Sequence, residues 1–199
     1  MSLQTSYRYI APIYDFFVSR TTSRARQMSL SRLPKQGTLR ILLSGAGTGL
    51  DFPFLPIGHQ YTALDFNAKM LLKSHTKGNL LDMKWVQGDC MTLPFQDESF
   101  DHVILHLILA VVEHPERCLA ESTRVLKPGG KIWLFDKFLH PGERAWVRRT
   151  LSLAMAKIAT RLDVVFEEVL ANTPKLIVIS DQALSPGGWF RLIELTKQN

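Results

Sequence analysis

The stretch Leu39-Arg-Ile-Leu-Leu-Ser-Gly-Ala-Gly-Thr-Gly49 runs an apolar segment straight into glycines at 45, 47 and 49. An apolar run of this length bounded by glycine reads as a buried strand, and the glycines let the backbone turn sharply and approach a ligand with no Cβ in the way. A ligand held there would lie at the carboxyl end of the strand. The spacing excludes two nucleotide sites. The dinucleotide fingerprint needs glycine at position 50, which is Leu50, and a phosphate-binding P-loop needs Gly-Lys-Ser/Thr, which does not follow.

Working outward, Gln60-Tyr-Thr-Ala-Leu-Asp65 is a second strand candidate that ends in a carboxylate 20 residues after Gly45. That is the distance at which a neighbouring parallel strand presents an acid to both hydroxyls of a ribose. Phe66-Asn67 before Ala-Lys-Met-Leu-Leu also looks like a helix start, so Asp65 or Asn67 could instead be its cap. Next, Lys84-Trp-Val-Gln-Gly-Asp-Cys-Met-Thr-Leu-Pro-Phe95 reads as a short strand and a loop. Its Asp89 could accept from an exocyclic amine, with Met91, Leu93 and Phe95 as an apolar face for the ring. Ser99 to Leu105 is another strand. From Pro115 to Lys127, Cys118, Leu119, Ser122, Val125 and Leu126 share one helical face, and Pro128-Gly129-Gly130 stops that helix before the strand Lys131 to Asp136.

With these residues in place the chain resembles the class I S-adenosylmethionine-dependent methyltransferases. The resemblance lies in the subgroup with Leu-Pro-Phe, then Phe-Asp, then Arg-Val-Leu-Lys-Pro-Gly-Gly, and spans about Tyr7 to Lys197. It implies S-adenosylmethionine as cofactor and S-adenosylhomocysteine as product. Carried over by residue, it implies Gly45, Ala46 and Gly47 at the methionine part, with Gly49 also binding the cofactor. It implies Asp65 at the ribose and Asp89 with Cys90 at the adenine, with Phe66 and Ser44 also among the cofactor-binding residues. The family has Glu or Asp just before the first glycine, and this chain has Ser44. That departure implies a weaker or water-mediated contact to the methionine amino group. It also keeps open an alternative, a catalytically degenerate protein of this fold that serves as a binding or scaffold subunit.

Order and composition fit one α/β domain over 1–199, with 1–36 as an N-terminal helical cover. Strands alternate with helices, and Lys175 to Asp181 and Trp189 to Leu195 form a terminal hairpin through Ser185-Pro-Gly-Gly188. The expectation is a doubly wound, seven-stranded, mostly parallel, Rossmann-like sheet with an antiparallel C-terminal edge strand. Met1 to Thr22 has no apolar core of a signal peptide, and the longest apolar run, Val103 to Val112, is ten residues including His106, half of the roughly 20 a membrane crossing needs. A cytoplasmic protein is expected. Cys90 and Cys118 are expected as reduced thiols, and no metal motif is present in the sequence.

Because the sulfonium already makes the methyl group electrophilic, the enzyme's task is to align a nucleophile, with a base needed only where that nucleophile carries a proton. The candidates near substrate are His106, which doubles as a cofactor neighbour, Asp136 with Lys137, and Tyr14 with Asp15 in a segment resembling the family's lid. Each has a plain alternative: a packed histidine, a solvated strand-end pair, a packing tyrosine beside a surface acid.

The net charge of +6 points to an anionic partner, and the bases gather in two places. One is Arg20, Arg24, Arg26, Arg32 and Lys35; the other is Arg144, Arg148, Arg149, Lys157 and Arg161 among Trp146 and aliphatics. The second reads either as an amphipathic helix on an anionic membrane surface, peripheral on its inner face, or as an ordinary solvated helix. Nucleic acid is not favoured, since Leu105-His-Leu-Ile108 stands where base-amine methyltransferases carry Asn/Asp-Pro-Pro-Tyr. The small-molecule acceptor is therefore read as apolar or amphipathic, a phospholipid amine, a quinone or a similar compound. Within the family the phospholipid N-methyltransferases look most similar. Oligomeric state is not legible.

Overall fold

The computed structural model describes residues 22–139, 164–184 and 189–199. Strands β1 (Arg40–Ser44), β2 (Gln60–Asp65), β3 (Asp82–Gln87), β4 (Phe100–His106), β5 (Leu126–Lys137), β6 (Leu176–Ala183) and β7 (Phe190–Lys197) form one seven-stranded sheet in the order β3-β2-β1-β4-β5-β7-β6. The first five pair in parallel, and β7 is antiparallel to both β5 and β6. The strand order reverses between β1 and β4, and such a switch point opens a crevice at the carboxyl ends of those two strands. The hairpin differs from expectation in placement. Its antiparallel strand, β7, slots between β5 and β6, so β6 takes the edge.

The central strands are apolar along their length because helices cover both faces. On one face Ile41, Leu43, Tyr61, Ala63, Ile104 and Trp133 pack with Leu30 and Leu33 from the α1 region and with Leu71 of α2. Helix α1 covers 22–30 and α2 is Ala68–Ser74. On the other face Leu42, Leu64, Val103, Leu105 and Leu134 pack against α3 (Pro115–Val125) and α4 (Phe166–Leu170) through Cys118, Leu119, Val125, Phe166 and Val169. The stripe of α3 read from spacing is the buried one: Cys118, Leu119, Ser122 and Val125 have no exposed surface.

The Leu-Pro-Phe and Arg-Val-Leu motifs turn out to be two halves of one joint. The Arg124 guanidinium donates to the carbonyls of Leu93 (3.0 Å) and Phe95 (2.8 Å), while Glu121 accepts from Leu93 N–H at 2.8 Å. The same joint corrects the expectation that Leu93 and Phe95 flank a ligand ring. Leu93 is in the core, Phe95 packs edge-on to Phe100 at 5.1 Å, and half-buried Met91 packs against the same core cluster. No helix among the described residues is long and apolar enough to cross a membrane. Tyr14 and Asp15, the lid segment, the Arg144–Arg161 cluster and the 185–188 connection lie outside the described residues.

Candidate active site

β1 ends at Ser44, and the chain then turns with positive φ at Gly45, Gly47 and Gly49 (+79°, +56° and +74°). The N–H groups of Gly45 and Ala46 both donate to Leu64 O at 2.9 Å, which seats the turn on the end of β2. These glycines do different work. A Cβ on Gly45 would lie 2.6 Å from Ile108 Cδ1, and one on Gly49 would lie 2.8 Å from the Phe52 ring, so both are wedged against neighbours. A Cβ on Gly47 would meet nothing within 4 Å. Gly47 therefore presents bare backbone to open space, as a ligand cradle requires. Beside it Ser44 is 2 % exposed and its hydroxyl has no partner among the described residues, a buried polar atom that calls for one.

Asp65 faces the same turn. Its Oδ2 accepts from Gly47 N–H at 2.7 Å and its Oδ1 from Asn67 N–H at 2.8 Å. A carboxylate has about four lone-pair positions, and these two bonds leave room for two more donors, the number a ribose edge supplies. Burial pushes the Asp65 carboxyl above its ordinary range despite those two N–H groups. The helix cap is the neighbour: Asn67 accepts from Lys69 N–H at 3.0 Å. Phe66, 64 % exposed, holds an apolar ring beside this carboxylate.

Gly88 N–H donates to Asp65 O at 3.1 Å and so ties the end of β3 to this corner. Asp89 uses one oxygen to accept from Met91 N–H at 2.8 Å, which shapes the loop. Cys90 corrects the sequence reading in part. Its side chain is buried against the Cys118 thiol, and that contact together with burial holds the Cys118 thiol well above its ordinary pKa. Only the Cys90 main chain is left to meet a purine.

The two remaining described candidates are turned inward. Asp136 has no exposed surface; it accepts from Ala110 N–H at 3.1 Å and Lys137 N–H at 2.8 Å, and burial raises its carboxyl to about 6. It clamps the loop after β4 rather than meeting a substrate. Lys137, beside it, is half-buried, and burial lowers its ammonium pKa. His106 is buried with both ring nitrogens engaged: Nδ1 is 2.7 Å from Asp51 Oδ1 and Nε2 is 2.9 Å from Ser29 Oγ. It is a packed histidine, held by side chains instead of the backbone.

Around it lies a network the sequence reading did not find. Arg26 donates to Asp51 Oδ1 at 2.7 Å and to Thr22 Oγ1 at 3.2 Å. Burial alone would raise the Asp51 carboxyl, but Arg26 and His106 more than offset it and hold it well below the usual range. Arg26 thus leaves the surface basic cluster, while Arg32 spends its guanidinium on Ser180 and Gln182 of β6. The signal available was polarity out of place: Asp51 in Leu-Asp-Phe-Pro-Phe-Leu and His106 in Val-Ile-Leu-His-Leu-Ile-Leu are single polar residues in apolar runs.

A methyltransferase-domain family model matches residues 42–134, the segment that holds the glycine turn, Asp65, Asp89 and the Leu-Pro-Phe joint. The chain is 30% identical over 99% of its length, and 98% of the relative's, to a phosphatidylethanolamine N-methyltransferase of Cereibacter sphaeroides. It is 36% identical to a demethylmenaquinone methyltransferase of Renibacterium salmoninarum over 66% of this chain and 56% of that one. In fold it is similar to a Thermotoga maritima S-adenosylmethionine-dependent methyltransferase, at a TM-score of 0.72 and 21% identity over 98% of this chain and 99% of that one. The chain belongs to the class I S-adenosylmethionine-dependent methyltransferases.

Proposed function

We infer that the protein transfers the methyl group of S-adenosylmethionine to the amine of an amphipathic acceptor of the phosphatidylethanolamine class, releasing S-adenosylhomocysteine. The observation that carries this reading is the likeness, over nearly the whole of both chains, to a relative named for that reaction. The residues present suit the cofactor. Asp65 has room for a ribose edge, Ser44 Oγ and the Gly47 backbone offer polar contacts at the methionine end, and Asp89, the Cys90 main chain and exposed Phe66 would meet the purine.

When bound, S-adenosylmethionine supplies a sulfonium whose methyl group is already electrophilic. The chain's own part is alignment and exclusion of water. Ile108, Val111 and Val112, in the loop after β4, are half-buried and apolar, a surface suited to the hydrocarbon end of such an acceptor. His106 and Asp136 are buried and engaged with their own chain, so neither is placed to take a proton from the amine. The reading takes 1–199 as one domain with 1–36 as its cover. It places the protein on an anionic membrane surface, in keeping with the net charge of +6, since each base near anionic headgroups contributes about 1 kcal/mol.

The test is transfer of labelled methyl from S-adenosylmethionine to vesicles of phosphatidylethanolamine in phosphatidylglycerol, with a demethylated quinone offered in parallel. Label in an N-methylated phospholipid, with sedimentation on these vesicles that weakens in salt, is the expected result. Label in the quinone alone, or in neither, overturns the acceptor assignment.

A further inference from the structure

Ser29, His106, Asp51 and Arg26 come from three places in the fold that must keep a fixed relation for the site to exist. Ser29 and Arg26 are on α1, Asp51 follows the glycine turn, and His106 is the last residue of β4. Their contacts span 77, 55 and 25 residues of sequence at 2.9, 2.7 and 2.7 Å. An ionised Asp51 can only accept, so His106 Nδ1 carries the proton of that contact, while Nε2 lies 2.9 Å from the Ser29 hydroxyl. The connectivity Ser–His–Asp is that of a nucleophile relay, but Ser29 has no exposed surface and Asp51 is neutralised by Arg26, so attack on a substrate is closed off.

What the network touches is the cofactor turn. Leu107, next after His106, is held at φ +57°, an unfavourable conformation for leucine, with its N–H on Phe135 O at 2.7 Å. Ile108 follows and is wedged against Gly45; on the other side Phe52, next after Asp51, is wedged against Gly49. Both ends of the turn are thus braced by residues one or two places from the network.

We propose that Ser29, His106, Asp51 and Arg26 act as one positioning unit, which fixes the glycine turn and the loop after β4 against α1 and so sets cofactor affinity. None of them is a catalytic residue. The assay arm rests on the S-adenosylmethionine reading; the exchange arm does not. Ser29→Ala removes one contact with little change of shape, His106→Asn keeps an N–H where Nδ1 stood, and His106→Leu keeps neither.

The expected result is that His106→Leu raises the KM for S-adenosylmethionine and the Kd for S-adenosylhomocysteine about tenfold, a coupling of ordinary size. Turnover at saturation should stay near wild type, and His106→Asn and Ser29→Ala should fall between. In the ligand-free protein, amide exchange should quicken together in α1 and at Gly45 and Ala46. A lowered Tm with unchanged KM, Kd and glycine-turn exchange would reduce the network to fold support. Loss of turnover with KM unchanged would place His106 in the chemistry. Should the wild type bind no S-adenosylhomocysteine, the cofactor reading fails and the exchange pattern alone decides the positioning role.

Discussion

Asp65 and Asp51 are carboxylates on either side of one glycine turn; burial pushes both up, and their partners decide where each ends. Asp65 accepts two backbone N–H groups, is ion-paired with no cation among the described residues and is pushed up; Asp51 is held between Arg26 and His106 and is pulled down. The first keeps lone pairs for a visitor, while the charge of the second is met within the chain by Arg26. A site rim needs groups left partly unsatisfied, and the frame under it needs the reverse.

The largest effect should come from breaking the frame. Asp51→Ala leaves Arg26 buried without its partner, a change that costs about 3–5 kcal/mol, measurable as a fall in urea midpoint; a cost below 1 kcal/mol would mean Arg26 finds water instead. Next is the clamp on the loop after β4. Asp136 is raised from 3.8 to about 6, so its contribution to stability is fully present below about pH 4 and lost as pH rises through about 6. A shift of this size corresponds to about 3 kcal/mol. The stability of wild type relative to Asp136→Asn should therefore decline by about that much between pH 4 and 7, and a flat difference would contradict the burial of a titrating carboxyl.

The rim should behave differently. Gly47→Ala places a methyl in open space at positive φ, so it should cost only about 1–2 kcal/mol of stability while weakening cofactor binding about tenfold or more. Equal losses in both would mean the turn is frame. Smallest is Phe66→Ala, expected to leave the Tm unchanged and to weaken cofactor binding by about 0.5–1.5 kcal/mol, the worth of a ring contact. No change in affinity would remove Phe66 from the site.

The rim was legible in sequence and the frame was not, for a physical reason. Ser44 to Gly49, Asp65 and Asp89 sit at strand ends whose order the alternation of elements already dictates, so their meeting follows from local pattern. The partners Ser29 and His106 are separated by 77 residues, and which faces of α1 and β4 meet depends on packing no local window contains. Direction of side chains was lost for the same reason: Asp136 and Cys90 stand at expected positions and point into the core. Arg124 shows the converse, a motif residue whose role as the pin of the Leu93–Phe95 loop is visible only once both segments are placed.

The most direct test of the account is calorimetric titration of the wild type and Asp65→Ala with S-adenosylmethionine and S-adenosylhomocysteine. The account predicts that the wild type binds both, and that Asp65→Ala weakens binding by about 3 kcal/mol, about a hundredfold, as expected for loss of two charge-assisted hydrogen bonds. Absence of binding by the wild type, or equal binding by both proteins, would contradict a cofactor site at the glycine turn and leave a scaffold protein of this fold, with Ser44→Glu the first variant to make.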